Sequence, residues 1–221
     1  SVGSKSEFIV NNSTINDSYR ISDDSSVTFN NSTIYGTISG GNVEINDSNV
    51  SVSGSCYWDY MINSNNVVIT GNSTITSEGY GVLTANKVVI GTNDGDVSLF
   101  PKLEVKNNDS FVGVKSNDLS IYDGTITAYK ANSVRGYIKE IQEGYKIDMS
   151  EDNNYESLYL VKDDEEVAQI GDKKYTSLQA ALNEVQQNET IKMLKSTYPI
   201  NEINIDENYN FNIDLNSYNI R

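Results

Sequence analysis

The residue types that could do chemistry in this chain are acids and tyrosines, since its 221 residues include 31 Asp and Glu, 15 Tyr and no His. Without histidine, Ser/His/Asp and Cys/His nucleophile arrangements are excluded, and so are the commonest zinc sites. Two carboxylates could still catalyse the hydrolysis of a glycosidic bond. With so many acidic residues, however, almost any two could be proposed as the catalytic pair, and the sequence identifies none. The sequence therefore predicts no catalytic residue, and we expect that the protein is not an enzyme.

Hard oxygen ligands are concentrated in the segment Asn93-Asp94-Gly95-Asp96, and such oxygens are what calcium prefers. The segment lacks the remaining ligand spacing of an EF-hand, and it does not recur as calcium-binding β-rolls require. A solvated turn is the favoured interpretation, so neither a metal site nor a cofactor is predicted. The single cysteine, Cys56, cannot form an intrachain disulfide and is interpreted as a small buried hydrophobic residue.

An aromatic and acidic segment is the strongest candidate for ligand binding. Tyr57, Trp58, Asp59 and Tyr60 follow one another, and Trp58 is the only tryptophan. Exposed aromatic faces beside a carboxylate could stack on the apolar CH faces of sugar rings. Alternatively, strand alternation buries Trp58 or Tyr57 in the core, which is common for large aromatic side chains. We predict a ligand-binding site at these four residues.

The charge balance limits the partners that can be expected. The formal net charge is −15 and the sequence pI is near 4.3. Nucleic acids and anionic membrane surfaces need basic patches, so neither is expected as a partner. The sequence contains no run of about 20 apolar residues, and we therefore expect no membrane insertion.

The elements that would position these residues form a repeat. Asn-Asn-Ser-Thr-Ile occurs at residues 11–15 and again at 30–34, and looser copies lie at 46–50, 71–75 and 123–126. An alternating apolar triplet such as Val27-Thr28-Phe29 precedes each copy. Self-similarity at a period of about 20 residues is the signature of stacked coils.

A third segment of each coil is suggested by residues 60–66, 81–87 and 112–118, which have equal length and end in a polar Ser/Ala-Asn corner. We therefore predict an all-β fold, a right-handed parallel β-helix (solenoid), with one short helix in a C-terminal β-α-β module. The alternative is an antiparallel sandwich, which also shows many short strands with turn sequences at regular spacing.

Three regions are predicted along the chain: a parallel β-helix stack over 1–146, a connecting strand and loop over 147–168, and a β-α-β module over 169–221. The module is expected to open or cap a second β-helix. Its hairpin turns at Gly171-Asp172, and its helix runs from Ser177 to about Gln187 with Thr176 or Ser177 as the N-cap. The apolar face of that helix consists of Leu178, Ala181, Leu182 and Val185.

The segment Gly171-Asp172-Lys173-Lys174-Tyr175-Thr176-Ser177-Leu178-Gln179-Ala180-Ala181-Leu182 resembles the helical entry segment of pectin-lyase-like right-handed β-helices. Together with Glu189-Thr190-Ile191-Lys192-Met193-Leu194 it is similar to modules of large surface proteins of Gram-positive bacteria. Residues 8–140 resemble the β-helix repeats between such modules, although Asn and Asp replace many of the family's corner glycines.

The resemblance implies a function and a setting. It implies a structural or adhesive β-solenoid segment of a secreted protein at the cell wall or cell surface of a bacterium. Host or bacterial glycans, surface proteins and neighbouring modules of the same chain would be its partners. A non-catalytic carbohydrate-binding module is the alternative, and a polysaccharide lyase is less favoured. A lyase would place an Arg or Lys beside a calcium–carboxylate cluster, and Arg20, Arg135 and Arg221 lie beside no such cluster.

Overall fold

The structure is a computed structural model that describes residues 5–53, 60–78, 80–95, 97–106, 112–129, 132–197, 203, 205 and 210–220. Its described elements are 21 strands and one helix. The first eleven strands are β1 (Glu7–Asn11), β2 (Thr14–Ile15), β3 (Tyr19–Arg20), β4 (Ser26–Asn30), β5 (Thr33–Tyr35), β6 (Ile38–Ser39), β7 (Asn42–Asn46), β8 (Asn49–Ser53), β9 (Tyr60–Thr70), β10 (Thr74–Glu78) and β11 (Gly81–Ile90). The remaining elements are β12 (Lys102–Lys106), β13 (Val114–Ile121), β14 (Thr125–Tyr129), β15 (Val134–Ile141), β16 (Tyr145–Asp152), β17 (Tyr155–Lys162), β18 (Ala168–Ile170), β19 (Lys173–Tyr175), α1 (Leu178–Glu184), β20 (Thr190–Met193) and β21 (Asn212–Asp214).

The described strands form three sheets. The first has the order β1-β4-β7-β9-β11-β13-β15, with β3 and β6 paired beside this path. The second has the order β16-β17-β14-β12-β10-β8-β5-β2, and the third the order β19-β18-β20-β21. Pairing is parallel along the first sheet and from β2 to β14 in the second.

The predicted pairing of apolar triplets is observed. Val43 pairs with Val67 and Val67 with Val88, while Ile69 pairs with Ile90. Ile69 and Ile90 are fully buried, as are Val67 and Val88. Alternate residues of these strands are therefore buried in the core, because successive side chains of a β-strand point to opposite faces of the sheet.

The repeated Asn-Asn-Ser-Thr-Ile corners have a common geometry. A residue just before the serine of these corners adopts a positive φ, which Asn, Asp and Gly tolerate best. It is Asn12, Asn31 or Asp47, directly before the serine, and Gly71, two residues before Ser73. The serine that follows is hydrogen-bonded to the serine of the next corner: Ser13 N–H donates to Ser32 Oγ at 3.1 Å, and Ser48 N–H donates to Ser73 Oγ at 3.1 Å. The repeat thus encodes a turn and a hydrogen-bond partner for the next turn.

The predicted fold class, a right-handed parallel β-helix, is wrong for this chain, since its described residues form several sheets, parallel and mixed, with one helix. In the second sheet β14 pairs with β17 in antiparallel orientation, and in the third sheet β18 pairs antiparallel with both β19 and β20. The physical reason is that apolar triplets specify which strands pair and in which register. They carry no information about strands outside the repeat.

The chain divides into two compact units, one of residues 1–142 and 147–160 and the other of residues 143–146 and 161–221. The predicted regions 1–146, 147–168 and 169–221 stay a prediction. In the second unit the predicted hairpin is present as β18 and β19, with Gly171 at a φ of +57°. Ser177 caps α1, because its Oγ accepts a hydrogen bond from Ala180 N–H at 3.0 Å.

Candidate functional site

A groove of about 1010 Å³ lies in the first unit, where five strands each contribute a short polar segment. Its walls are residues 20–23, 39–40, 63–65, 84–86 and 115–117, and we call it the polar groove. These segments are the ends of β3 and β6 with the residues after them, and inner parts of β9, β11 and β13. The residues are mostly Ser, Asn and Thr, so the groove presents hydroxyl and amide groups that can both donate and accept hydrogen bonds.

Strand pairing aligns one residue from each strand into a row across the groove. Each member is the direct partner of the next, and adjacent parallel strands lie about 4.8 Å apart. The row, which we call the cross-strand row, is Arg20, Ser39, Asn63, Thr84, Lys115 and Arg135. Arg135 extends it one strand beyond the groove wall.

The cross-strand row carries three cations in an otherwise acidic protein. Arg20, Lys115 and Arg135 are exposed, and in the described part of the chain none of them has an ion-pair partner. The other charged residue of the groove wall is Asp23. Against a net charge of −15 for the whole chain, the groove and its extension hold more cations than acids.

The wall of the polar groove contains a buried hydroxyl without a partner. Ser64 is 8% exposed, and among the described residues its Oγ has no hydrogen-bond partner. Its neighbour in the next strand is Ala85, which has no hydroxyl to offer. Ser116 is also buried, but its Oγ donates to the Asn86 carbonyl and accepts from Asp118 N–H, both at 3.2 Å. A buried hydroxyl without a partner costs free energy, and Ser64 carries this cost in the wall of the polar groove.

An aromatic ring supports one cation of the row. Lys115 Nζ lies 6.0 Å from the centre of the Tyr60 ring, which is within the range of a cation–π contact. The ring of Tyr60 packs against Gly81, where a Cβ atom would collide with its Cδ1 and Cε1. Because Gly81 has no side chain, the Tyr60 ring can occupy the position in which it contacts Lys115.

The predicted ligand-binding residues are only partly described. Tyr57, Trp58 and Asp59 lie outside the described residues, so ligand binding by these three side chains stays a prediction. Tyr60 is half-buried at the start of β9. Its ring contacts Lys115, and neither this contact nor a functional role for Lys115 was predicted. The sequence did hold a usable pattern, since residues 60–66, 81–87 and 112–118 have equal length. Their fourth positions are Asn63, Thr84 and Lys115, three consecutive members of the cross-strand row.

The other candidate segment, residues 93–96, is a bend in its described part. Asp94 Oδ2 accepts a hydrogen bond from Thr92 Oγ1 at 2.7 Å, and Asp96 lies outside the described residues. Across the described ranges, no group of three or more His, Cys, Asp or Glu side chains is arranged to hold a metal ion. Directly after β13, burial raises the pKa of the Tyr122 hydroxyl, with a further contribution from Glu140.

Helix α1 has seven residues, and over the ranges that the structure describes no helix reaches the length and apolarity needed to cross a membrane.

Comparison with known proteins gives one family match. The family model described as Tellurite resistance protein TehB matches residues 113–217, slightly less than half of the chain. No curated protein and no solved structure matches the chain. The matched segment includes Lys115, Arg135 and helix α1.

The family match corrects the predictions that rested on resemblance. The match is to TehB, and no pectin-lyase or adhesin family matches, so that resemblance is wrong. TehB is a methyltransferase-like family, and the match points to an α/β fold rather than a β-helix. In the matched segment the described residues contain one helix of seven residues.

The predicted functions are also wrong: the match does not support an adhesive cell-surface solenoid, a carbohydrate-binding module or a polysaccharide lyase. The prediction that the protein is not an enzyme is wrong as well, because the match is to a methyltransferase-like family. The predicted bacterial cell-surface location and the predicted partners stay predictions.

Proposed function

We propose that the protein binds an oxyanion in the polar groove, and that tellurite, which the matching family's name contains, is the first candidate. The observation that carries the proposal is the cross-strand row. In a chain of net charge −15, three cations stand in one row without ion-pair partners among the described residues.

The chemistry of the row suits an anion. Lys115 and Arg135 are direct strand partners, so their backbones lie about 5 Å apart. Two neighbouring cations repel each other, and an anion between them removes that repulsion and gains charge-assisted hydrogen bonds. Arginine offers a planar set of N–H donors that matches an oxyanion, while lysine supplies a compact charge. Thr84 and Asn63, the next members of the row, add hydroxyl and amide donors.

The surrounding protein determines how such binding depends on conditions. The net charge of −15 repels anions at long range, so attraction must come from the groove itself. Because the three cations are exposed, added salt screens their attraction for the anion. We therefore expect binding that weakens as ionic strength rises.

The family match also raises methyl transfer as an activity. A methyl donor such as S-adenosylmethionine carries a flat adenine ring, which needs an apolar slot, whereas the groove wall is mainly Ser, Asn and Thr. The groove therefore does not fit this donor, and no methyl-transfer step is assigned to it.

Equilibrium dialysis of the whole chain against tellurite, with selenite and sulfate for comparison, tests the proposal. We expect saturable tellurite binding that falls at least tenfold in Lys115→Gln/Arg135→Gln. The matched control Lys87→Gln/Lys162→Gln removes two exposed lysines outside the groove and should bind as the unmodified chain does. No saturable binding, or equal binding by both double variants, would overturn the proposal.

A further inference from the structure

We infer that the polar groove selects an elongated dianion, a ligand with two anionic groups about 15–20 Å apart joined by a neutral polar spacer. This inference rests on the proposed binding of anions by the same groove. It concerns the size and charge pattern of the ligand, which the family match does not address.

The spacing follows from strand pairing. Arg20 and Lys115 stand at the two ends of the groove, four strand steps apart in the cross-strand row. At about 4.8 Å a step, their backbones are separated by about 19 Å. Side chains of this length can swing several ångströms along the row, and this widens the range of spans that two anionic groups can bridge. A single small oxyanion can contact one end only.

The charge pattern of the row is cation, three neutral residues, then two cations. The three neutral members, Ser39, Asn63 and Thr84, provide hydroxyl and amide groups but no charge. An anionic group placed over them would lose water without gaining a counter-charge, which is unfavourable. The row therefore favours charge at both ends of a ligand over charge distributed evenly along it.

The middle of the groove has hydrogen-bonding capacity to spare. Thr84 is partly exposed, and Asn63 is exposed. A spacer with amides or hydroxyls would replace the water that these groups lose, whereas an alkyl spacer would leave them unsatisfied.

Blocked peptides of the form Glu-Ser(n)-Glu test the inference, since an extended chain advances about 3.4 Å per residue. With four serines the glutamates are about 17 Å apart, and with one serine about 7 Å apart. Glu-Ser(4)-Gln is the matched control with one anionic side chain. Titration calorimetry with the whole chain should give at least tenfold tighter binding of the long dianion than of the other two peptides.

Peptide binding by variants, together with tellurite binding, distinguishes the dianion inference from the proposed function. Arg20→Gln should lower the affinity for the long dianion to that of Glu-Ser(4)-Gln, while Lys87→Gln, outside the groove, should change nothing. Tellurite binding together with equal affinity for all three peptides would overturn the dianion inference alone. Binding of neither tellurite nor any peptide would overturn the proposed function as well.

Discussion

The backbone N–H of Ser32 donates a hydrogen bond to the hydroxyl of Ser48 at 2.9 Å, and Ser48 is completely buried. The same hydroxyl donates to the Asn46 carbonyl at 2.7 Å. One side chain therefore satisfies the backbone of two neighbouring corners. Its loss would leave the buried Ser32 N–H without its partner, which explains why serine follows the corner residue in each close copy of the repeat.

Ser48→Ala should destabilise the first unit by about 1–3 kcal/mol, the cost of leaving a buried polar group unsatisfied. The measurement is urea unfolding followed by circular dichroism. Ser51→Ala is the control, because Ser51 is only half-buried and its hydroxyl makes no hydrogen bond among the described residues. Equal losses for the two variants would show that the buried corner hydroxyl has no special role.

Ile69 and Ile90 are direct partners in neighbouring strands, and both are fully buried. Truncating either to Ala should cost about 2–5 kcal/mol, because each change removes apolar burial and leaves a cavity. Since the two side chains share a core column, the double variant should deviate from additivity by at least about 0.5 kcal/mol in urea unfolding.

Lys87→Ala is the control for this pair, since Lys87 is exposed and should change stability by no more than about 0.5 kcal/mol. Thr70 is a poorer control, because its hydroxyl donates to Asn46 Oδ1 at 3.0 Å. Strictly additive losses at Ile69 and Ile90 would contradict the shared column.

Much of the local structure could be predicted from sequence, because it depends on local patterns. The pairing of Val67 with Val88 follows from aligned apolar triplets, and the cap at Ser177 follows from its position before an apolar helical face. Helix α1 ends at Glu184, three residues before the predicted end, because Val185 leaves the helical conformation.

The pairing of two cations at one end of the cross-strand row could not be predicted. Lys115 and Arg135 become neighbours only because β15 pairs with β13, and residues 134–141 do not repeat the apolar triplet. The register of that pair shifts between Ser116 and Leu119, and Gly136 adopts a φ of +134° against the Ser116 carbonyl. Such an irregular pairing depends on tertiary packing and leaves no period in the sequence.

Glu165 should make the second unit sensitive to acid. A hydrogen bond from Lys195 at 2.6 Å, with a further contribution from Lys146, lowers the pKa of the Glu165 carboxyl below its ordinary value of 4.5. The group therefore stabilises the fold above about pH 4.5, and this stabilisation is lost as the pH falls through the lowered pKa.

Glu165→Gln removes that titration, so the stability of the variant should fall less steeply than that of the unmodified chain below about pH 4.5. Thermal unfolding at a series of pH values measures the slope. Asp164→Asn is the matched control, because its exposed side chain has no ion-pair partner in the described ranges. An unchanged slope in Glu165→Gln would contradict the linkage.

Leu178 ties helix α1 to the core of the second unit. A helix of seven residues is unstable alone in water, so α1 depends on packing. Leu178 is 4% exposed and Ala181 is fully buried, and both belong to a cluster with Ile191 and Met193 of β20. Leu178→Asp would place an unpaired carboxylate in this cluster, which is strongly unfavourable.

We therefore expect Leu178→Asp to expose residues 161–197 to limited proteolysis, while residues 5–53 and 60–95 stay protected because their strands pair with one another. Asn183→Asp is the matched control, since it adds the same charge on the exposed side of α1 and keeps the oxygen that accepts the hydrogen bond from Gln179. Mass spectrometry of the fragments identifies the protected segments. Simultaneous cleavage throughout the chain in Leu178→Asp would show that the two units do not unfold independently.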